Sequence, residues 1–334
     1  MHKEMKSLHD NKTWELVDLP KDKQIVDSKW VYKKKDGATE QEGKIFKARL
    51  VAKGFTQRKG VDYFDGQYTK KVLAKFNMAS AKAVSTPLAP YFKLFVAFCP
   101  TDSMEKGLMS KVPYDSAVGS LMYLMVYTRP DISHVVGLVS RYMANLGKVH
   151  WEAVKWILRY LKGTSDVGLL FDAQEDSARL IIGYVDFDYE GDLDHRKSTS
   201  GYTFPLAGGC VSWRSTKQRC ISQSSTEVEY VAATKATKEA IWLNKLVRDL
   251  GILQSSLDLH CDSNSALHIA ANRMTHGRVK HIDIRYHFIR QAVSDKQIEL
   301  IKIEGKLNPA DMLTKVIPLE SFSRHCVKLQ ILHM

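Results

Sequence analysis

The 334-residue chain is poor in cysteine, and none of its five (Cys99, Cys210, Cys220, Cys261, Cys326) forms a Cys-x-x-Cys pair. Neither a zinc knuckle nor a disulfide-stapled secreted scaffold is indicated, so a reducing, intracellular setting is expected, with cytoplasm and nucleus both open. Also missing is any run near the roughly 18 apolar residues of a membrane span, and the opening Met1-His-Lys-Glu-Met-Lys6 lacks the apolar centre of a signal peptide. No membrane partner is therefore expected. No Asp-Ser/Thr-Gly triplet marks an aspartic protease, and no two aspartates are adjacent anywhere in the chain.

Positive charge is what the chain has in excess. Forty-nine Lys and Arg against 37 Asp and Glu give a formal net charge of +12. Such a field attracts polyanions, with nucleic acid the leading candidate, although a basic chain can also be merely soluble. The 44% of hydrophobic residues suffices for packed cores, and the length allows two or so domains.

The stretch that organises the chemistry is Gly183-Tyr-Val-Asp-Phe-Asp-Tyr-Glu-Gly-Asp192, following an apolar run. A strand that leaves a core and ends in acids can hold carboxylates at an edge, as a divalent cation requires, but one strand cannot wrap the ion. Three later acids qualify as partners: Glu229 near the start of a helical segment, Asp262 after the alternating Leu257-Asp-Leu-His-Cys261, and Asp311 in Asn308-Pro-Ala-Asp-Met-Leu-Thr-Lys315. Each has a plainer explanation. Asp186 and Asp262 are of a type that commonly forms solvated turns. Thr226-Glu-Val-Glu229 and Ser224-Ser-Thr-Glu227 both fit a capping box, and Asp311 after Pro309 suits a first helical turn. Spacing alone leaves the choice open.

Several further blocks, taken with that stretch, carry a resemblance. Arg196-Lys-Ser-Thr-Ser-Gly-Tyr202, Gly208-Gly-Cys-Val-Ser-Trp213, Ser224-Ser-Thr-Glu-Val-Glu-Tyr230, Cys261-Asp-Ser-Asn-Ser-Ala266, Lys280-His-Ile-Asp283, His287-Phe-Ile-Arg290 and Ala310-Asp-Met-Leu-Thr-Lys315 follow in order over roughly residues 178 to 318. Together they resemble the ribonuclease H domain of copia-type LTR retrotransposon Pol polyproteins. Nearer the start, Asn11-Lys-Thr-Trp14, Ser28-Lys-Trp-Val-Tyr-Lys33, Lys47-Ala-Arg-Leu-Val-Ala-Lys-Gly-Phe-Thr-Gln57 and Gly60-Val-Asp-Tyr63 resemble the fingers of that family's reverse transcriptase. The palm that should follow is missing, since Tyr63-Phe-Asp-Gly-Gln-Tyr68 runs into sequence similar to what lies beyond it. Polymerase activity is accordingly not expected.

The resemblance implies an α/β fold: a ribonuclease H-like mixed sheet flanked by helices, preceded by a small helical connection bundle and a short β-rich fingers remnant. The expected division is a fingers remnant at 1–69, a proline-rich linker at 70–113, a helical connection region at 114–166, the ribonuclease H-like domain at 167–318 and a C-terminal tail at 319–334. Within the ribonuclease H-like domain the residue pattern places strands at Val167 to Phe171, Leu180 to Asp186, Gly201 to Leu206, Cys210 to Trp213, Cys220 to Ser222, Leu257 to Cys261 and Ile298 to Ile303. A helix is expected from Thr226 to Leu250, ending at Gly251 and carrying a stripe of Val228, Val231, Ala232, Leu243, Leu246, Val247 and Leu250. Another is expected at Ser263 to Asn272, and a last one after Asp311.

By the family's pattern, Asp186, Glu229, Asp262 and Asp311 hold two Mg²⁺ ions, or Mn²⁺ in their place. These would hydrolyse the RNA strand of an RNA–DNA hybrid, leaving 5′-phosphate and 3′-hydroxyl ends. Ser225, Thr226 and Asn264 adjoin catalytic positions and are candidate readers of the 2′-hydroxyl. Arg278 and Lys280, in a cluster with Arg285 and several histidines, are candidate phosphate contacts, as are Lys47, Arg49 and Lys53 in the fingers. No obligate protein partner is evident. Two departures, Glu190 beside the metal site and Pro205 inside a strand, favour the alternative of an inactive retroelement relic that at most binds nucleic acid.

Overall fold

The computed structural model describes residues 28–35, 45–52, 66–171, 181–206, 208–222, 224–251, 254–262 and 283–333, with backbone alone for 28–35, 45–52 and 283–286. It divides into two compact units, Met1–Asp65 and Gly66–Met334. In the first, β1 (Ser28–Lys35) and β2 (Ile45–Ala52) pair antiparallel with Trp30 opposite Leu50. They fall in the blocks Ser28–Lys33 and Lys47–Gln57 of the β-rich fingers remnant; Asn11–Trp14 and Gly60–Tyr63 lie outside the described residues.

The second unit begins with α1 (Gln67–Lys75) and α2 (Ser103–Met109). Three helices follow in the expected connection region: α3 (Tyr114–Tyr127), α4 (Ser133–Val139) and α5 (Lys148–Gly163). On α5, Val154, Ile157, Leu158 and Leu161 recur every three or four residues and are buried, which is the stripe that packs a helix onto a core. Between the helices, Arg129 and Asp131 form a buried pair at 2.7 Å. Tyr160 donates to the same carboxylate at 2.6 Å, and Arg129 also donates to Thr164.

Two segments expected to be a linker and a tail are instead built into this core. Val72, Leu73, Leu88 and Leu94 from the first, and Phe322, Leu329 and Ile331 from the second, join the same buried cluster as the connection helices. The prolines at 87 and 90 do stop any long helix there, yet the apolar residues around them still have a face to cover. The last residues form a helix and a short strand.

After β3 (Val167–Leu169) comes the main sheet, built from β4 (Ile182–Asp188), β5 (Thr199–Leu206), β6 (Gly209–Lys217), β7 (Leu257–Cys261) and β8 (Ile298–Lys302). Its order is β6-β5-β4-β7-β8. The β4–β5 and β5–β6 pairs are antiparallel, whereas β4–β7 and β7–β8 are parallel. The helices α6 (Ser225–Asp249) and α7 (Asp283–Ser294) supply the crossovers. This is the mixed α/β sheet flanked by helices that the resemblance implied. At the end, α8 (Leu319–Lys328) leads into β9 (Ile331–His333), which pairs with β3.

Some expectations shift. Residues 220–222 are not a strand, and the segment just after Asn308 is a short 3-10 turn, Pro309–Leu313, before α8 starts. The expected helix at 263–272 lies outside the described residues. On α6, Leu246 and Leu250 are exposed, while Ala232, Ala236 and Ala240 meet the sheet. Small side chains at i, i+4 and i+8 let the helix lie close to the strands, so there the sheet takes alanine in preference to leucine. The ends are as read: Ser224 accepts a bond from Glu227 N at 3.2 Å, and Gly251 takes φ +84° just past the helix.

Pro205 is accommodated by an irregularity, since the β5–β6 register shifts between Phe204 and Pro205. A proline without an N–H is tolerated where a ladder is already broken. Among the described residues no helix is long and apolar enough to cross a membrane.

Candidate metal centre

Three of the four expected acids meet. Ligand oxygens of Asp186, Asp262 and Asp311 all lie within 4.8 Å of one another. The parallel ladder explains the first two. Tyr184 is level with His260 in the β4–β7 register, so continuing both strands by two residues sets Asp186 beside Asp262, one strand spacing away. Residues 186 and 262 are distant in the chain and adjacent in the sheet.

Asp311 arrives on the 3-10 turn, and fixed contacts hold that turn against β4. Fully buried Asn308 donates its amide to the Val185 carbonyl at 2.9 Å and accepts from Ala310 N at 3.2 Å. Buried Thr314 donates to Asp186 Oδ2 and lies 3.1 Å from the Asp311 carbonyl. Opposite Asp186 in the β4–β5 register stands Gly201. A Cβ there would come within 2.8 Å of Thr314 and 2.9 Å of Leu313, so the turn can reach the acid only because this residue lacks a side chain.

Glu229 lies outside the 4.8 Å trio but lines one cleft with Asp186, Asp262, Val185, Phe187 and Cys261. It enters from the second turn of α6 and is largely buried. Ser225 and Thr226 precede it by four and three residues, hence on the same helix face, and are exposed and half-buried. Asn264, Arg278, Lys280 and Lys53 lie outside the described residues. Lys47 and Arg49 are positions of β2 in the other unit, opposite Lys33 and Val31.

Several site residues escaped the reading of the sequence: Asn308, Thr314, Gly201 and, above all, Lys315. The Lys315 ammonium sits 3.0 Å from Asp311 Oδ1 and 3.8 Å from Asp186 Oδ2. Its i+4 spacing from Asp311 was the one available signal. Burial pushes the Asp186 carboxyl up, and the neighbouring Asp311 and Asp262 add to this, with Lys315 and Thr314 pulling the other way. Asp311 is raised for the same first reason, burial. For Lys315 burial works against the charge, but the two aspartates outweigh it and the pKa rises. Once Asp186 is ionised, three carboxylates and one ammonium leave two negative charges in a half-closed place. All the donors of the trio are oxygens, a set that fits hard divalent cations such as Mg²⁺ and admits Mn²⁺.

A second acidic group, Asp192, Asp194 and His195, is already neutralised. Asp192 pairs with Lys217 at 2.9 Å, Arg141 at 3.1 Å and His195 at 3.2 Å. Asp194 accepts from Val96 N at 2.7 Å and from the Tyr142 hydroxyl at 3.0 Å. It is a polar clasp between the connection helices and the loop after β4. Glu190, expected to crowd the metal site, turns to Arg196 at 3.5 Å and is not part of the trio.

A family model described as reverse transcriptase (RNA-dependent DNA polymerase) matches residues 11–67. The retrovirus-related Pol polyprotein from transposon TNT 1-94 of Nicotiana tabacum is 52% identical over 80% of this chain and 20% of its own length. That from transposon RE2 of Arabidopsis thaliana is 35% identical over 82% of this chain and 18% of its own. The chain thus spans about a fifth of the length of these relatives. Among solved structures, RNase H1 from the halophilic archaeon Halobacterium salinarum NRC-1 aligns with 40% of this chain and 93% of its own, at 16% identity and a TM-score of 0.31. By its extended likeness to these polyproteins, the chain belongs to the Pol polyprotein family of copia-type retrotransposons.

Proposed function

We propose that residues 181–315 carry a metal-dependent ribonuclease H site that hydrolyses the RNA strand of an RNA–DNA hybrid, without polymerase activity. The convergence of Asp186, Asp262 and Asp311 within 4.8 Å, with Glu229 in the same cleft, carries this reading. Divalent ions bound there would supply an activated water and neutralise the leaving 3′-oxygen. The chain's part is to hold the carboxylates. Thr314 orients Asp186, the register of β4 and β7 positions Asp262, and Asn308 anchors the turn of Asp311. Glu229 faces them from the helix, one turn beyond Ser225 and Thr226, which on this reading would meet a 2′-hydroxyl in a shallow minor groove.

The test is incubation of the full chain with a labelled RNA–DNA hybrid and Mg²⁺, beside the Asp186→Asn variant. Cleavage to 5′-phosphate ends that the variant lacks is the expected result. Salt-sensitive binding without turnover would replace the hydrolase with the inactive nucleic-acid binder.

A further inference from the structure

The trio of acids is not an open set of ligands, because a cation of the chain's own stands among them. Lys315 follows Asp311 by four residues, and its amide N donates to the Asp311 carbonyl at 3.1 Å, so its backbone is tied to the turn that delivers the acid. Its side chain reaches back over two of the three carboxylates, at 3.0 and 3.8 Å. The nearby Lys302 gives its ammonium to the Asp262 backbone carbonyl instead. An ammonium at such distances takes up lone pairs that a metal ion needs. The Lys315 side chain is 39% exposed, so it can leave for solvent without disturbing buried residues.

We propose that Lys315 is a built-in competitor of the divalent cation: it holds Asp186 and Asp311 together in the metal-free protein and must be displaced when the ion binds. The inference rests on reading the trio as a cation site. In the metal-free state the ammonium lowers the repulsion between acids that burial has brought close. When an ion arrives, the same ammonium has to give up both partners, and the affinity falls by what those contacts were worth. Loading of the site then depends on additional anionic oxygens, such as a phosphate of bound nucleic acid, which can hold the ion and receive the released ammonium together.

Calorimetric titration of the full chain with Mg²⁺ and Mn²⁺, without nucleic acid, tests this on the wild type, Lys315→Met and Lys315→Arg. Lys315→Met is expected to tighten divalent binding roughly tenfold. It should also lower the melting temperature in EDTA, so that the rise produced by Mg²⁺ widens. Lys315→Arg, which keeps the charge, stays near the wild type. A residue that only supports the fold would lower melting equally with and without metal and leave affinity unchanged, and that result overturns the proposal, as does weaker binding in Lys315→Met. Uptake of metal by the wild type with no gain in Lys315→Met defeats the competition alone. If the wild type takes up no divalent ion, the trio's reading as a cation site fails with it.

Discussion

Replacing Asp186 by Asn should stabilise the metal-free protein while destroying its response to metal. With Asp186 ionised and an effective dielectric constant of about 20, two carboxylates whose oxygens lie within 4.8 Å of each other repel by about 3.5 kcal/mol or more. Asp186 faces two such neighbours, so neutralising it relieves about 7 kcal/mol, while losing the attraction of Lys315 at 3.8 Å forfeits about 4. The net gain is on the order of 3 kcal/mol, since an Asn oxygen can still accept from Thr314. For a unit of this size that is roughly 6–12 °C in melting temperature.

The pH dependence has a defined sign. The folded-state pKa of Asp186 is raised, first by burial, so its contribution to stability is present below the unfolded value and is lost as pH climbs toward about 8. In EDTA the wild type should therefore lose stability relative to Asp186→Asn between pH 5 and pH 8, in roughly that window. Added Mg²⁺ should raise the melting temperature of the wild type, more so at higher pH, and leave the variant almost unmoved. Differential scanning calorimetry with and without metal reads all of this. If Asp186→Asn melts below the wild type in EDTA, the acids are not in electrostatic conflict and the account of the site is wrong.

Other perturbations bear on the scaffold. Asp131→Ala strands the buried Arg129 guanidinium and should cost about 3–5 kcal/mol by denaturant titration, with much of it recovered when Arg129→Met is added. Gly201→Ala forces a Cβ into Thr314 and Leu313, so about 1–3 kcal/mol of stability and the Mg²⁺-induced rise in melting temperature should both fall. His134 is buried and its pKa is lowered to about 3, with burial the leading cause and Arg141 the second. The folded state thus resists a proton that the unfolded chain accepts near pH 6.5, and stability is lost as pH falls through that value. By pH 5 the loss from this residue is about 2 kcal/mol, and His134→Gln should flatten the acid limb of a melting-temperature profile.

What could be read ahead of the structure divides along a physical line. The strands that deliver Asp186 and Asp262 were legible because strands announce themselves by alternation, and Leu257–Cys261 forms as expected, whereas the choice of these acids came from the family's pattern. The turn that brings Asp311 was harder to place, because its anchoring uses the Asn308 amide against a backbone carbonyl more than a hundred residues earlier. No local pattern encodes such a contact. Gly201 was legible only as a strand residue; its value lies in what passes over it. On α6, hydrophobicity ranked Leu246 and Leu250 above alanine, whereas the distance to the sheet decided the matter and favoured Ala236 and Ala240. The connector at 70–113 was misjudged for a related reason: prolines report where helices stop, but buried Leu88 and Leu94 show that a stopped chain can still be packed.

The way the acids are held also separates the parts of the site by robustness. Asp186 and Asp262 lie at the ends of neighbouring parallel strands, whose spacing is set by the ladder and survives most side-chain changes. Asp311 depends instead on a short turn with a buried Asn, a buried Thr and one missing Cβ across the sheet. Damage to the second set would move one ligand while leaving the strands and the other two acids in place. Thr314→Val, which keeps the buried shape and loses only the hydroxyl, should accordingly weaken metal uptake far more than it lowers the melting temperature, while truncations in the β4–β7 core, such as Leu259→Ala, should lower both together. A chain in which the two kinds of change had the same effect would have to hold Asp311 by the sheet itself, contrary to the contacts that pin its turn.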